Sequence, residues 1–112
     1  MHKQVTHPHQ VFFDINIHIK KKDLDELVAF LECSSQSAGG RIKTFQLVQS
    51  KYQSSLIVIY ETLTIAERIL AKKFLRFKFY FIRASKTGYK IDNYEINQDC
   101  LIVQCMNKVN KF

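Results

Sequence analysis

Residues 54–84 read SSLIVIYETLTIAERILAKKFLRFKFYFIRA, and this stretch constrains the fold more than any other part of the chain. An apolar run, a capped amphipathic segment and an aromatic run follow one another with almost no spacer. That is a strand, a helix and a strand, a unit whose helix must cross over one face of a sheet. In the first strand Leu56, Val58 and Tyr60 alternate with Ser55, Ile57 and Ile59. Both sets are largely apolar, which predicts a central strand with a greasy outer face. Thr64 and Glu67 have the spacing of a capping box, and Ala66, Ile69, Leu70 and Phe74 supply the buried stripe. Phe77, Phe79 and Phe81 then alternate with Lys78, Tyr80 and Ile82, predicting one further strand.

The preceding residues supply the other half of the architecture. Val11, Phe13, Ile15, Ile17 and Ile19 alternate with Phe12, Asp14, Asn16 and His18. Period two over nine positions predicts a strand with the first set facing a core. Asp23, followed by Glu26, offers a helix start. Leu24, Leu27, Val28 and Leu31 then place one apolar face along a helix running to about Cys33. Ser34 to Gly40 predicts a loop, its paired glycines supplying turn conformations. Residues 41–49 predict a second strand whose imperfect alternation implies a bulge or a twist. Near the C-terminus Cys100-Leu101-Ile102-Val103-Gln104-Cys105 predicts an additional strand.

The order strand, helix, strand, strand, helix, strand, with right-handed crossovers, predicts an α+β fold. It is the ferredoxin-like βαββαβ plait: a four-stranded antiparallel sheet with two helices on one face. An extra C-terminal strand would pair with the domain's own sheet or with a partner. The predicted organisation is a flexible tail over 1–9, a domain over 10–84 and an extension over 85–112. With 112 residues, 46% hydrophobic, the chain is long enough for one core. It lacks the apolar run of about 18 residues that a membrane span needs. The polar start and three cysteines without a Cys-x-x-Cys pair point to a reducing compartment, cytoplasmic or nuclear.

With this order in hand, the helix ending in LECSSQSAGG, the glycine pair leading into the second strand, and the AERIL-AKK helix after a strand carry a resemblance. Over about Val11 to Ala84 the chain resembles the divergent RNA-recognition-motif domains of macrodomain-containing ADP-ribosyltransferases, of their deltex-type ubiquitin-ligase partner and of similar small proteins. The resemblance implies assembly work in ADP-ribosylation, ubiquitin or antiviral pathways. It also implies tandem copies, with DCLIVQC similar to the first strand of a following copy. In RNA-binding members aromatics on two strands stack on bases. Here that pattern places Phe12 on the first strand and Ser55 and Ile57 on the third, with Ser54 where the motif has glycine. One of three rings is present.

The net charge is +7. Arg68, Lys72, Lys73, Arg76, Lys78, Arg83, Lys86 and Lys90 fall in one segment with no acidic residue. Such a segment attracts polyanions, RNA foremost, or is simply a solvated face. Two functions follow, both non-enzymatic. One is a protein-interaction module that uses the sheet face or an edge strand, with self-association included and RNA binding weak. The other is a single-stranded RNA-binding domain. The candidate residues are Phe12, Asn16, Ser55, Ile57 and Ile59 on the open sheet face, with Lys72, Lys73, Arg76, Lys78, Tyr80, Arg83 and Lys86 from the basic segment. No catalytic set, cofactor or metal is expected. Asp14 and His18 are about 13 Å apart along a strand, and His7 and His9 have no carboxylate or thiol beside them.

Overall fold

The computed structural model describes residues 7–87 and the backbone of 101–107. Residues 1–6, Lys90 and the expected strand start at Cys100 lie outside the described residues. The elements in order are β1 (Gln10–Ile15), α1 (Lys21–Glu32), α2 (Ser34–Ser37), β2 (Ile42–Gln49), β3 (Ser54–Tyr60), α3 (Leu63–Leu70), β4 (Phe74–Phe77), β5 (Tyr80–Ser85) and β6 (Leu101–Asn107). They form an α+β fold around one sheet of order β4-β5-β1-β3-β2-β6. Every neighbouring pair in it is antiparallel. The sheet therefore has two strands more than the expected four. The extra C-terminal strand pairs with β2. The irregularity expected in the second strand is a register shift between Ile42 and Thr44. No helix among the described residues is long and apolar enough to cross a membrane.

Period two decides which face is buried. Val11, Phe13 and Ile15 from β1, Leu56, Val58 and Tyr60 from β3, and Phe45 and Leu47 from β2 point one way. Leu27, Val28 and Leu31 of α1 and Ala66 and Ile69 of α3 join them in the same cluster. Both longer helices thus pack on one face of the sheet. Each fully buried Leu, Ile or Phe contributes about 1.5–3 kcal/mol relative to exposure. Tyr60 donates its hydroxyl to the Leu31 carbonyl at 3.0 Å, tying β3 to the end of α1. Burial pushes that phenol well above its usual range.

Local chemistry moves several boundaries from their predicted places. β1 stops at Ile15, so Ile17 is exposed although Ile19 returns to the core. α1 begins at Lys21, which places Asp23 in its first turn rather than at its cap. The cap of α3 is Thr62, whose Oγ1 accepts from the Ile65 N–H at 3.2 Å; Thr64 lies inside the helix. α3 ends at Leu70, so Phe74 belongs to β4 and is 70% exposed instead of completing the helix stripe. The run predicted as one strand is a hairpin. Lys78, at φ 55, turns the chain back between Phe77 and Tyr80. The turn resets the alternation: Tyr80, Ile82 and Ala84 are buried, and Phe79 and Phe81 are exposed.

The segment expected as a loop after α1 contains the helical turn α2. Its left-handed residue is Ala38, at φ 71, and no glycine has positive φ among the described residues. Gly39 is required for a different reason. A Cβ there would stand 2.0 Å from the Leu31 carbonyl oxygen. The Gly40 Cβ would press on the Ile65 side chain at 2.9 Å. The pair lets this loop lie against α1 and α3, where Arg68 donates to the carbonyls of Ala38 and Gly39.

A second polar node fixes the hairpin to α1. The Tyr80 hydroxyl donates to Asp23 Oδ2 at 2.7 Å and accepts from the Lys20 N–H at 3.1 Å. Lys78 Nζ donates to Asp23 Oδ1 at 2.9 Å and also pairs with Glu26. The Tyr80 bond first, then Lys78, holds the Asp23 carboxyl below its ordinary value of 3.8, against the opposing effect of burial. A carboxyl lowered in the folded state stabilises fully above its unfolded value and loses that contribution as pH falls through the folded one.

Two outcomes are expected. Gly39→Ala should lower unfolding free energy by about 1–3 kcal/mol, because backbone must shift. Ala38→Gly should leave it unchanged or raise it by up to about 1 kcal/mol. Denaturant titration of both reads the contrast, and equal losses would contradict it. Separately, Tyr80→Phe should lower the melting temperature at about pH 6, with the gap to wild type narrowing toward about pH 2.5. A gap independent of pH would exclude the Asp23 linkage.

Candidate nucleic-acid interface

The face opposite the helices can be mapped from the strand registers. One row across it runs Phe74, Arg83, Asp14, Ser55, Val48, on β4, β5, β1, β3 and β2. Beside it lie Arg76 and Phe81, which are paired, and Asn16, whose N–H donates to the Phe81 carbonyl at 3.2 Å. On the other side lies the row Ser85, Phe12, Ile57, Gln46.

The middle of this face is not open, contrary to the sequence expectation. Asp14 is 1% exposed, Ser55 4% and Val48 1%. Asp14 Oδ1 accepts from the Ser55 hydroxyl at 3.0 Å, and Oδ2 accepts from the Arg83 guanidinium at 3.0 Å. Ser55, expected as a contact residue, is buried beside a carboxylate. The carboxylate needs its bonds, since a buried anion is tolerated only when paired and hydrogen-bonded. The middle of the row, Asp14, Ser55 and Val48, offers no ring to a nucleic acid, and its one charge is a carboxylate already paired with Arg83. Phe12, Ile57 and Ile59 are half-buried around it.

Other expected residues divide just as clearly. Tyr80 is fully buried and serves Asp23, so it leaves the candidate set. Lys78 is held by Asp23 and Glu26, which raise its ammonium pKa, Glu26 foremost. Asn16 is exposed, but its Oδ1 accepts from the Phe81 N–H at 3.2 Å and extends the β1–β5 ladder. Lys72, Lys73, Arg76 and Lys86 are exposed and belong to none of the ion pairs of the described residues. The hairpin draws their backbones together. The Ala84 N–H donates to the Lys73 carbonyl at 2.8 Å, which sets Lys72 and Lys73 beside the end of β5 and Lys86.

The rings that sequence reasoning omitted are Phe74, Phe79 and Phe81, exposed by 70%, 54% and 56%. Phe74 and Phe81 lie on the outer face of the hairpin, diagonal to each other. Arg76 and Arg83 take the opposite diagonal. Rings and guanidinium groups alternate over two strands. The Arg76 guanidinium sits 5.0 Å from the Phe81 ring centroid. An exposed contact of that kind is worth about 0.5–1 kcal/mol, less than the about 1–3 kcal/mol of a base stacked on an aromatic ring. A base can therefore displace the cation. Phe79 stands at the turn, tilted against Tyr80 with 4.7 Å between centroids. The available signal was the length of the alternation from Phe74 to Arg83, which is long for one strand.

No group of three metal-binding side chains is found among the described residues. No family model, curated protein or solved structure matches the chain.

The Asp14 node makes a measurable claim. Arg83→Ala should cost about 1–2 kcal/mol, because the carboxylate keeps only the Ser55 bond while the guanidinium it loses was half-exposed. With Asp14→Ala already present, the same change should cost less. A double-mutant cycle with no coupling would remove the node from the account.

Proposed function

We propose that the chain is a non-enzymatic binding module with the RRM-like, ferredoxin-like plait arrangement, and that its ligand is single-stranded RNA held weakly and without sequence readout. Support for the arrangement comes from the inner strand order β5-β1-β3-β2 with α1 and α3 on one face. The remaining two strands extend it at its edges. The observation that carries the function is the grouping of Lys72, Lys73, Arg76 and Lys86 around the β4–β5 hairpin, none of them in an ion pair among the described residues. Uncompensated cations on one surface raise the local concentration of a phosphate chain and speed its arrival. The buried Asp14 and Ser55 argue against stacking at the centre of the sheet, so specificity through that face is not part of the reading.

A second reading is a protein partner that adds a strand to the sheet. One observation favours it: β4 forms an edge of the sheet. Strand addition relies on main-chain hydrogen bonds, so such a complex, including self-association, would be nearly indifferent to salt.

Four cations meeting phosphates predict a slope near −2.8 in log K against log salt for a single strand, or about a 50-fold loss of affinity between 50 and 200 mM salt. Fluorescence anisotropy with a labelled RNA octamer measures it. Lys72→Glu with Lys73→Glu should roughly halve the slope. Absence of binding at 50 mM salt, or a flat response, would exclude the RNA reading.

A further inference from the structure

We propose that Phe74 and Phe81 form a two-base stacking platform for single-stranded nucleic acid, displaced from the central strands to the β4–β5 hairpin. The proposal rests on the nucleic-acid reading above and names the site and the ligand feature it takes.

The two rings are 70% and 56% exposed, on the sheet face away from the helices. Neither belongs to the core cluster. Large apolar side chains left adjacent in solvent, with polar groups around them, mark an interaction surface. What the surface accepts follows from its charge. Arg76 lies between the rings in the cross-strand pattern, with Lys72 and Lys73 just before β4 and Lys86 just after β5. An apolar or cationic partner would meet repulsion or leave these cations unused. A ligand with both flat faces and phosphates satisfies both features.

The spacing agrees. Diagonal cross-strand neighbours on one face are about 7–8 Å apart. That is about twice the 3.4 Å rise per nucleotide of a stacked strand, so a stretched single strand can set successive bases on successive rings. The phosphate between them then falls beside Arg76. A duplex cannot do this, because its bases are already stacked on one another. Hydrogen bonds secure the backbone that carries the platform. Asn16 bonds Phe81 through both its N–H and its Oδ1, and Lys78 and Tyr80 anchor the turn to α1. Rings stack on base faces, which RNA and DNA share, so both single strands are ligands of the platform.

The test uses the full chain with Phe74→Ala, Phe81→Ala and the double variant. Probes are labelled octaadenylate as RNA and as DNA, a 12-base-pair duplex, and heparin, a polyanion without bases. Each single variant should weaken both octamers about tenfold and the double variant about a hundredfold. Heparin binding and the salt slope should stay within about twofold of wild type. Because both rings are exposed, the variants should keep the wild-type melting temperature. Phe81→Trp provides a second readout: it should retain affinity, and its indole fluorescence should be quenched on octamer addition. If the double variant binds both octamers like wild type, or the introduced Trp is silent, the platform is wrong while charge-driven binding stands. If only one sugar type is bound, the sugar-blind platform is wrong. If wild type binds neither octamers nor heparin, the nucleic-acid reading itself fails.

Discussion

The Asp14 carboxylate, bonded by Ser55 on one side and Arg83 on the other, is the interaction on which the outer face depends. It joins β1 to both its neighbours on the face away from the helices. A strand slipped by one residue would turn its whole apolar set to the wrong face. The same slip would separate this carboxylate from both donors. Register is therefore specified twice, by the apolar set below the sheet and by a charge above it. Because a buried anion is costly unless its bonds are made, the node also excludes alternatives more strongly than it adds net stability.

β5 is held from both faces by such nodes. Outward, Arg83 reaches Asp14; inward, Tyr80 reaches Asp23 at the start of α1, and the Lys20 N–H reaches Tyr80. The hairpin is thus attached to the sheet through its ladder with β1 and to the helix layer through a phenol. Cores tolerate small motions poorly because packing is dense, and a polar pin at each face restricts the hairpin further. The backbone of an edge element with exposed rings is thereby tied on both faces of the sheet.

The parts legible in the sequence were those set by short-range period. The alternation in β1 and β3 and the apolar stripe Leu27, Val28, Leu31 located most of the core. The loop glycines were legible as necessary but not for their reason: the left-handed backbone falls on Ala38, and Gly39 makes room for a carbonyl of a neighbouring helix. The hairpin turn at Lys78 and Phe79 has no Gly, Asn or Asp, the residues that mark two-residue turns. Unbroken alternation then read as one strand that set Phe81 on the face of Phe77, whereas across the turn Phe77 packs on the core and Phe81 is exposed. The Asp14 node depends on three strands far apart in the chain, and no local pattern announces a partner at that range.

These corrections move the candidate surface rather than remove it. An acidic, buried centre and a basic, aromatic edge divide the same sheet face. A phosphate chain gains nothing at Asp14, whose charge is already matched by Arg83. At the hairpin it meets rings and cations together. In the proposed mode two rings would supply about 2–6 kcal/mol by stacking, which by itself corresponds to millimolar affinity or weaker for most of that range. Charge must supply the rest, and charge fades with salt while stacking does not. High salt therefore isolates the contribution of Phe74 and Phe81, and low salt reveals that of Lys72, Lys73, Arg76 and Lys86. The two halves of the surface are separable because one is ionic and the other is not.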